Sequence, residues 1–245
     1  MMIISACSQA TSVVLDRSQP QKIVNYDGQS LAISKKSRTI AALGSKTIGA
    51  PNGKTFDLLV IAENRSAPTF EFDTSSITVS IDGQKAKVYT YDELVKAEKK
   101  ARNAQLFAAV LAGVADSYSA ANSGYQTTTG TYSSTIYGGY GGSYNFYGNY
   151  TSTAYDYAAV QAAQAQVKAN NRARINGIVD ASNAQLARLR ATILKPTTMN
   201  RGMTYGGIIS VSAPALKEGE VQRIDVTVRL AKDIHRFVLK RVFDE

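Results

Sequence analysis

Between Ser117 and Val167 the chain carries a single charged residue, Asp156, and ten of its fourteen tyrosines fall between Tyr118 and Tyr157. No other feature constrains the fold as strongly. A segment this poor in charge and rich in aromatic rings needs cover from its own chain, from other copies or from a non-aqueous phase. Even-numbered positions carry Tyr132, Ile136, Tyr140, Tyr144, Phe146, Tyr150 and Ala154, and odd ones mostly Ser, Thr, Asn and Gly. That period of two predicts two strands meeting around Gly138–Gly142, each with one aromatic face that could contact a membrane or a partner. Uncharged, tyrosine-rich strands of about ten residues suit a hairpin inserted in an outer membrane, provided several subunits close the barrel. The other reading is a Gly/Tyr/Ser low-complexity loop, disordered or loosely adherent. Lys and Arg are missing from the segment, which argues against an aromatic platform for single-stranded nucleic acid.

Helical patterns flank it. Thr90 and Glu93 have the spacing of a capping box, with Asp92 and Glu93 at the positive end of the dipole. From there a first arm runs through Leu94, Leu106, Phe107, Val110, Leu111 and Val114, with alanines between, to Asn122-Ser123-Gly124. A second arm runs from about Asp156 to Leu194, with Ile175, Ile178, Leu186, Leu189 and Ile193 at near-heptad steps and Pro196 as its stop. At 1.5 Å per residue the arms are about 45 and about 60 Å long, more than a small β domain spans, so they are expected to project. Alanine offers a third or less of the burial leucine does, and Ala158 to Ala169 holds few large side chains. Close packing with neighbouring copies, in a homo-oligomer or larger complex, is one expectation; a marginal, surface-exposed hairpin is the other.

Both ends of the chain read as strands. Phe56–Ala62 is a nearly continuous apolar run, as expected of a strand buried on both faces. Ile77, Val79 and Ile81 alternate with polar residues before an Asp82-Gly83 hairpin turn. Weaker candidates are Ser12–Leu15, Ile23–Tyr26 and Leu31–Ile33. Toward the C-terminus, Ile208–Val211, the alternating Ile224–Leu230 and the parity of Phe237, Leu239 and Phe243 repeat the pattern. Strands at both ends with helices between predict an α+β chain: a β-sandwich assembled from residues 13–91 and 196–245, with a long α-helical hairpin (92–195, tip 124–155) inserted. Residues 1–12 form a tether.

Val60-Ile61-Ala62-Glu63-Asn64, followed by Phe70-Glu71-Phe72-Asp73-Thr74-Ser75-Ser76-Ile77-Thr78-Val79, resembles an immunoglobulin-like strand pair of bacterial envelope lipoproteins. The resemblance covers about a tenth of the chain and implies an immunoglobulin-like sandwich, with no implication for activity. At the N-terminus, Ile4-Ser5-Ala6-Cys7 resembles the lipobox of bacterial lipoproteins. It implies lipidation at Cys7, a membrane contact through the lipid anchor and, because Ser8 rather than Asp follows, an outer-membrane address. Only six residues precede Cys7, so a complete signal peptide would begin upstream of Met1. An ordinary thiol is the competing reading.

Chemistry is sparse elsewhere. One cysteine and one histidine, His235, exclude an intrachain disulfide and the common zinc sites. His235 lies in an alternating run and reads as a strand side chain at a sheet face. Gly49-Ala50-Pro51-Asn52-Gly53-Lys54-Thr55 is one residue short of a P-loop, and a β-like run follows it where a helix is required. No enzyme class, cofactor, metal or small-molecule substrate is supported. Residues 168–201 hold seven Lys/Arg against one acid, two thirds of the net charge of +9. Lys168, Arg172, Arg174, Arg188 and Arg190 would form a solvated helix face or, in an alternative function, a soluble module's contact with an acidic partner or nucleic acid. The leading expectation is a non-enzymatic, lipid-anchored subunit of an envelope assembly.

Overall fold

The computed structural model describes residues 11–26, 28–46, 55–137, 143–217 and 219–243. Cys7 and its lipobox-like neighbours, residues 47–54 of the P-loop-like segment, and Tyr140 lie outside the described residues. In chain order the elements are β1 (Thr11–Leu15), β2 (Lys22–Tyr26), β3 (Gln29–Lys35), β4 (Thr39–Lys46), β5 (Thr55–Asn64), β6 (Phe70–Phe72), β7 (Ile77–Ile81), β8 (Gln84–Ala86), β9 (Val88–Tyr89), α1 (Tyr91–Asn122), β10 (Tyr125–Tyr137), β11 (Ser143–Tyr155), α2 (Tyr157–Thr192), β12 (Thr197–Met199), β13 (Thr204–Ser212), β14 (Gln222–Leu230) and β15 (Asp233–Phe243). Strands predominate and two long helices accompany them, an α+β composition. The chain divides into two compact units, one of residues 1–97 and 186–245 and one of residues 98–185.

The first unit contains a five-stranded sheet of order β1-β15-β14-β7-β8 and a six-stranded sheet of order β2-β3-β4-β5-β13-β9. Each draws strands from both ends of the chain: β14 pairs with β7, and β13 with β5. The reason is legible in the strands. β14 buries Gln222, Ile224, Val226, Val228 and Leu230 on one parity, and β7 buries Ile77, Val79 and Ile81. Neither strand could hide that face alone. Residues of both sheets, Phe237 and Leu239 from one and Leu43, Leu58 and Ile209 from the other, belong to one hydrophobic cluster.

The expectation for Phe56–Ala62 needs correcting. β5 alternates strictly, burying Phe56, Leu58, Val60, Ala62 and Asn64 while the intervening residues stay half-covered. Its apolar run reflects a central place between β4 and β13 rather than cover on both faces. At its end Asn64 is fully buried, donating to the Met199 carbonyl (2.9 Å) and accepting from the Ala67 amide (2.9 Å). Both ends of its amide are thus satisfied, and the turn after β5 is tied to the end of β12.

Two local signals perform as expected. Asp82 and Gly83 both take positive φ, 49° and 82°, the backbone of a tight hairpin between β7 and β8. The Thr90 amide donates to the Glu93 carboxylate (3.0 Å), and the Glu93 amide to the Thr90 hydroxyl (3.2 Å), completing the capping box that opens α1. Lys87 lies 2.7 Å from Glu93 and, with the Thr90 amide, holds that carboxyl below its ordinary range.

Candidate functional site

Within residues 98–185, α1 and α2 lie side by side and run in opposite directions. The face of α1 turned toward α2 is built of small residues: Ala109, Gly113 and Ala120 are buried. A side chain on Gly113 would strike the Asn171 amide of α2, and one on Gly124, just past α1, would strike Val160. Asp116 lies 3.7 Å from Arg174 across the same seam. Glycine leaves room for the side chain across the seam at positions 113 and 124, and each contact removes little apolar area from water. Of the larger residues of α1, Phe107, Val110, Leu111, Val114 and Tyr118 are exposed, whereas Leu94, Val95 and Leu106 are half-buried.

The ribbon grows directly from the helix ends. The Asp156 amide donates to the Gly124 carbonyl (2.8 Å), and the Asp156 carboxylate caps α2 by accepting from the Ala159 amide (3.1 Å). From that junction β10 and β11 pair antiparallel over thirteen residues each, Tyr125 opposite Tyr155 and Tyr137 opposite Ser143. Even positions pair with even ones throughout, so both strands place their even-numbered residues on one face. The strand reading, not the low-complexity loop, describes this segment.

On the even face, Gly130 lies opposite Tyr150, and Tyr132 opposite Gly148. Each tyrosine ring covers the glycine across from it: at Gly130 a β-carbon would fall 2.6 Å from the Tyr150 ring, and at Gly148 it would strike Tyr132. Tyr132 and Tyr150 remain exposed. Ile136, Tyr144 and Phe146 share the parity by register, and their side chains lie outside the described residues. The odd face mixes hydroxyls and amides with further tyrosines: Thr127 lies opposite Thr153, Thr129 opposite Thr151, Thr131 opposite Asn149 and Thr135 opposite Asn145, the last pair bonded at 2.7 Å, while Tyr125 lies opposite Tyr155 and Tyr147 opposite Ser133, all three tyrosines exposed. Tyr125, Tyr155 and Tyr157 form an edge-to-face row at the helical end, with centroids 4.9 and 5.0 Å apart. Among the described residues β10 and β11 pair only with each other, so both outer edges of the ribbon carry unpaired backbone groups.

The basic residues do not gather on one surface. At about 100° per residue, Lys168 and Arg172 share a side of α2, whereas Arg174 lies about 200° round from Arg172, at the seam with Asp116. Arg188 and Arg190, two residues apart, likewise diverge. All five stay exposed.

A polar constellation inside the first unit was missed from sequence. His235 is a strand side chain fully buried on the inward face of β15. Its Nε2 lies 2.9 Å from the Thr39 hydroxyl of β4 and its Nδ1 3.0 Å from the Ser34 hydroxyl of β3. Thr39 in turn donates to Asp233 (2.7 Å). Burial pushes the imidazole below its ordinary range, against the pull of Asp233. Burial would raise the Asp233 carboxyl, but the Thr39 hydroxyl and the Arg38 amide outweigh it. These groups saturate one another across the two sheets, which makes the cluster a clasp. Arg241, three repeats of the pleat further on, is also buried, donating to the Pro214 carbonyl (2.8 Å) and Gln222 (3.1 Å). Parity was the available signal, because His235 and Arg241 alternate in phase with Phe237 and Leu239.

Among the described residues no group of three or more His, Cys, Asp or Glu side chains could hold a metal ion. No described helix is long and apolar enough to cross a membrane, which leaves strands untouched. No family model, curated protein or solved structure matches the chain.

Proposed function

We propose that this chain is a non-enzymatic subunit of an oligomeric assembly in the bacterial envelope, anchored in the outer membrane by a lipid on Cys7. The single observation that carries the reading is the ribbon, with its charge-free pair of long strands, tyrosines on both faces and two open edges. An isolated two-stranded ribbon is at best marginal in water. Thirteen residues at about 3.3 Å each give roughly 43 Å, and at a tilt of about 40° they cover the roughly 25–30 Å of a bilayer's apolar band. Uncharged strands rich in tyrosine, serine and threonine are compatible with a barrel wall between lipid and water. Several copies, edge to edge, would supply the closure that one ribbon lacks.

In this reading the two sheets of the first unit stack as an immunoglobulin-like sandwich that carries the tether. Their shared hydrophobic cluster supports the stacking. The immunoglobulin-like label rests on the pattern of residues 60–83, since the consecutive β2-β3-β4-β5 order differs from that of immunoglobulin constant domains. Incorporation of labelled palmitate into the native full-length gene product, lost in Cys7→Ser, together with outer-membrane fractionation, tests the proposal. An unlabelled cytosolic protein would end it.

The alternative, a soluble module holding an acidic partner or nucleic acid through residues 168–201, draws on the local charge. The divergence of those side chains weakens it. Salt-sensitive retention on heparin, abolished by charge reversal at Arg172, Arg174, Arg188 and Arg190, would favour it.

A further inference from the structure

α1 has two apolar faces of different calibre. Its small face is already used against α2. On the far side Phe107, Leu111, Val114 and Tyr118 follow one another at steps of four, three and four, and are 67, 55, 64 and 74% exposed. That spacing is the seam of a helix packed against another helix. At 100° per residue the four fall within about 60° of arc, roughly 130° from the buried face. With Val110 beside them they expose on the order of 600 Å² of apolar surface, at the top of what a monomer ordinarily leaves bare. No charged residue lies between Arg102 and Asp116 to interrupt it.

The outer side of α2 has the converse shape. Ala158, Ala162, Ala165, Ala169 and Ala173 are all exposed and lie within about 80° of arc, diametrically opposite the face carrying Val160, Asn171 and Ser182. Gly177 continues the line, with open space where a β-carbon would stand. Lys168 and Arg172 border this groove and keep one rim wet. The two stripes also stand at matching heights. Gly124 meets Val160 and Gly113 meets Asn171, so eleven residues back along α1 correspond to eleven forward along α2. On that register Phe107 is level with Gly177, Leu111 with Ala173, Val114 with Ala169 and Asn170, and Tyr118 with Ala165 and Gln166.

We propose that the large-residue stripe of α1 docks in the small-residue groove of α2 on a second copy of this chain. The proposal rests on the oligomeric reading above and deepens it by naming the surfaces. Large side chains over glycine and alanine give a close fit without a change in either helix, and the stripe alone supplies most of the roughly 800 Å² per partner that a standard interface needs. Donor and acceptor faces differ, so the contact is head-to-tail and propagates from copy to copy, closing into a ring where the rotation allows. All copies then point their ribbons the same way, because the two stripes meet at matching heights.

The test uses the full chain with Leu111→Cys and Ala173→Cys together, oxidised under native conditions. A ladder of covalent multimers is expected from the double variant, a single dimer band from a mixture of the two single variants, and only the Cys7 background from each alone. No ladder from the double variant, or dimers from Leu111→Cys alone, overturns the proposal. As a second arm, Ala165→Leu with Ala169→Leu fills the groove at exposed positions, leaving monomer helicity intact. It should weaken the ladder about tenfold or more, and an undiminished ladder also overturns the proposal. Palmitate labelling and fractionation are read on the same samples. A ladder in an unlabelled soluble protein sinks the envelope reading and keeps this one, and a labelled membrane protein without a ladder does the reverse.

Discussion

The two units of this chain solve the problem of burying apolar surface in opposite ways. In the β unit large side chains, Leu43, Leu58, Phe72, Phe237 and Leu239, are fully or almost fully buried, and the buried polar groups His235, Asn64 and Thr39 are paired. In the helix and ribbon unit the buried residues are Ala109, Gly113, Ala120, Gly124, Val160 and Ser182, while Phe107, Leu111, Val114, Tyr118, Tyr132, Tyr147 and Tyr150 face outward. One unit is complete by itself. The other has spent its small residues on its internal contacts and kept its large ones for something else.

Matched truncations should break the symmetry between the units most strongly. Phe237→Ala deletes a buried ring and should cost about 3–5 kcal/mol, read as a fall in the denaturant midpoint. Phe107→Ala removes the same atoms from an exposed site and should cost a dilute copy no more than about 0.5 kcal/mol. A large loss from Phe107→Ala in dilute monomer would mean that the stripe is internal core after all.

Acid should act on the β unit through its clasps. The imidazole of His235 is held below its ordinary 6.5, so the unfolded chain binds the proton more readily than the folded one. The clasp's contribution is therefore complete above 6.5 and is lost as pH falls from there through the lower folded value. Asp16, which accepts from the Ser18 hydroxyl (2.7 Å) and lies 3.0 Å from Lys240, has its carboxyl lowered from 3.8 to about 2, chiefly by the Ser18 bond. Its contribution stands above 3.8 and fades toward about 2. Urea midpoints measured between about pH 8 and pH 2 should fall in two steps. Asp16→Asn should shrink the lower step, which the lowered carboxyls of Asp73, Glu93 and Asp233 share, and a profile unchanged by Asp16→Asn would refute the assignment.

In the ribbon, Gly130→Val should push the Tyr150 ring off its strand and loosen the pairing by about 1 kcal/mol, seen as faster amide exchange at Thr129 and Thr151. Unaltered exchange would show that the Tyr–Gly pairs do not set the register. The smallest effect is expected at the turn from β14 to β15, where Ala231 has φ of 52°. Glycine there relieves a left-handed alanine and should raise stability by up to about 1 kcal/mol.

Much of this was legible in the residues. The parity of Tyr132 and Tyr150 foretold that they share a face, but not that Tyr125, Tyr147 and Tyr155 line the other; Thr90 and Glu93 foretold the start of α1, and Asp82-Gly83 the turn. β4 was not foreseen, because Thr39-Ile40-Ala41-Ala42-Leu43-Gly44 contains alanines and a glycine that strands ordinarily disfavour. It is a strand because Leu43 and Ala41 fill the core and both neighbours, β3 and β5, hold its backbone. For the ribbon and helices, periodicity revealed which residues share a face. It could not reveal that α1 turns its small face inward, since that depends on how closely Gly113 and Asn171 approach. The basic run was visible as composition, but its division between opposite sides of α2 follows only from helical geometry at Arg172 and Arg174.

The central claim is that residues 98–185 are finished only by other copies, whereas the β unit needs none. Amide exchange of the full chain across a dilution series that spans the dissociation seen by sedimentation tests this directly. Protection in β10, β11 and the Phe107–Tyr118 stretch should rise with association while that of β5, β14 and β15 stays constant. Equal, concentration-independent protection in both units would contradict it.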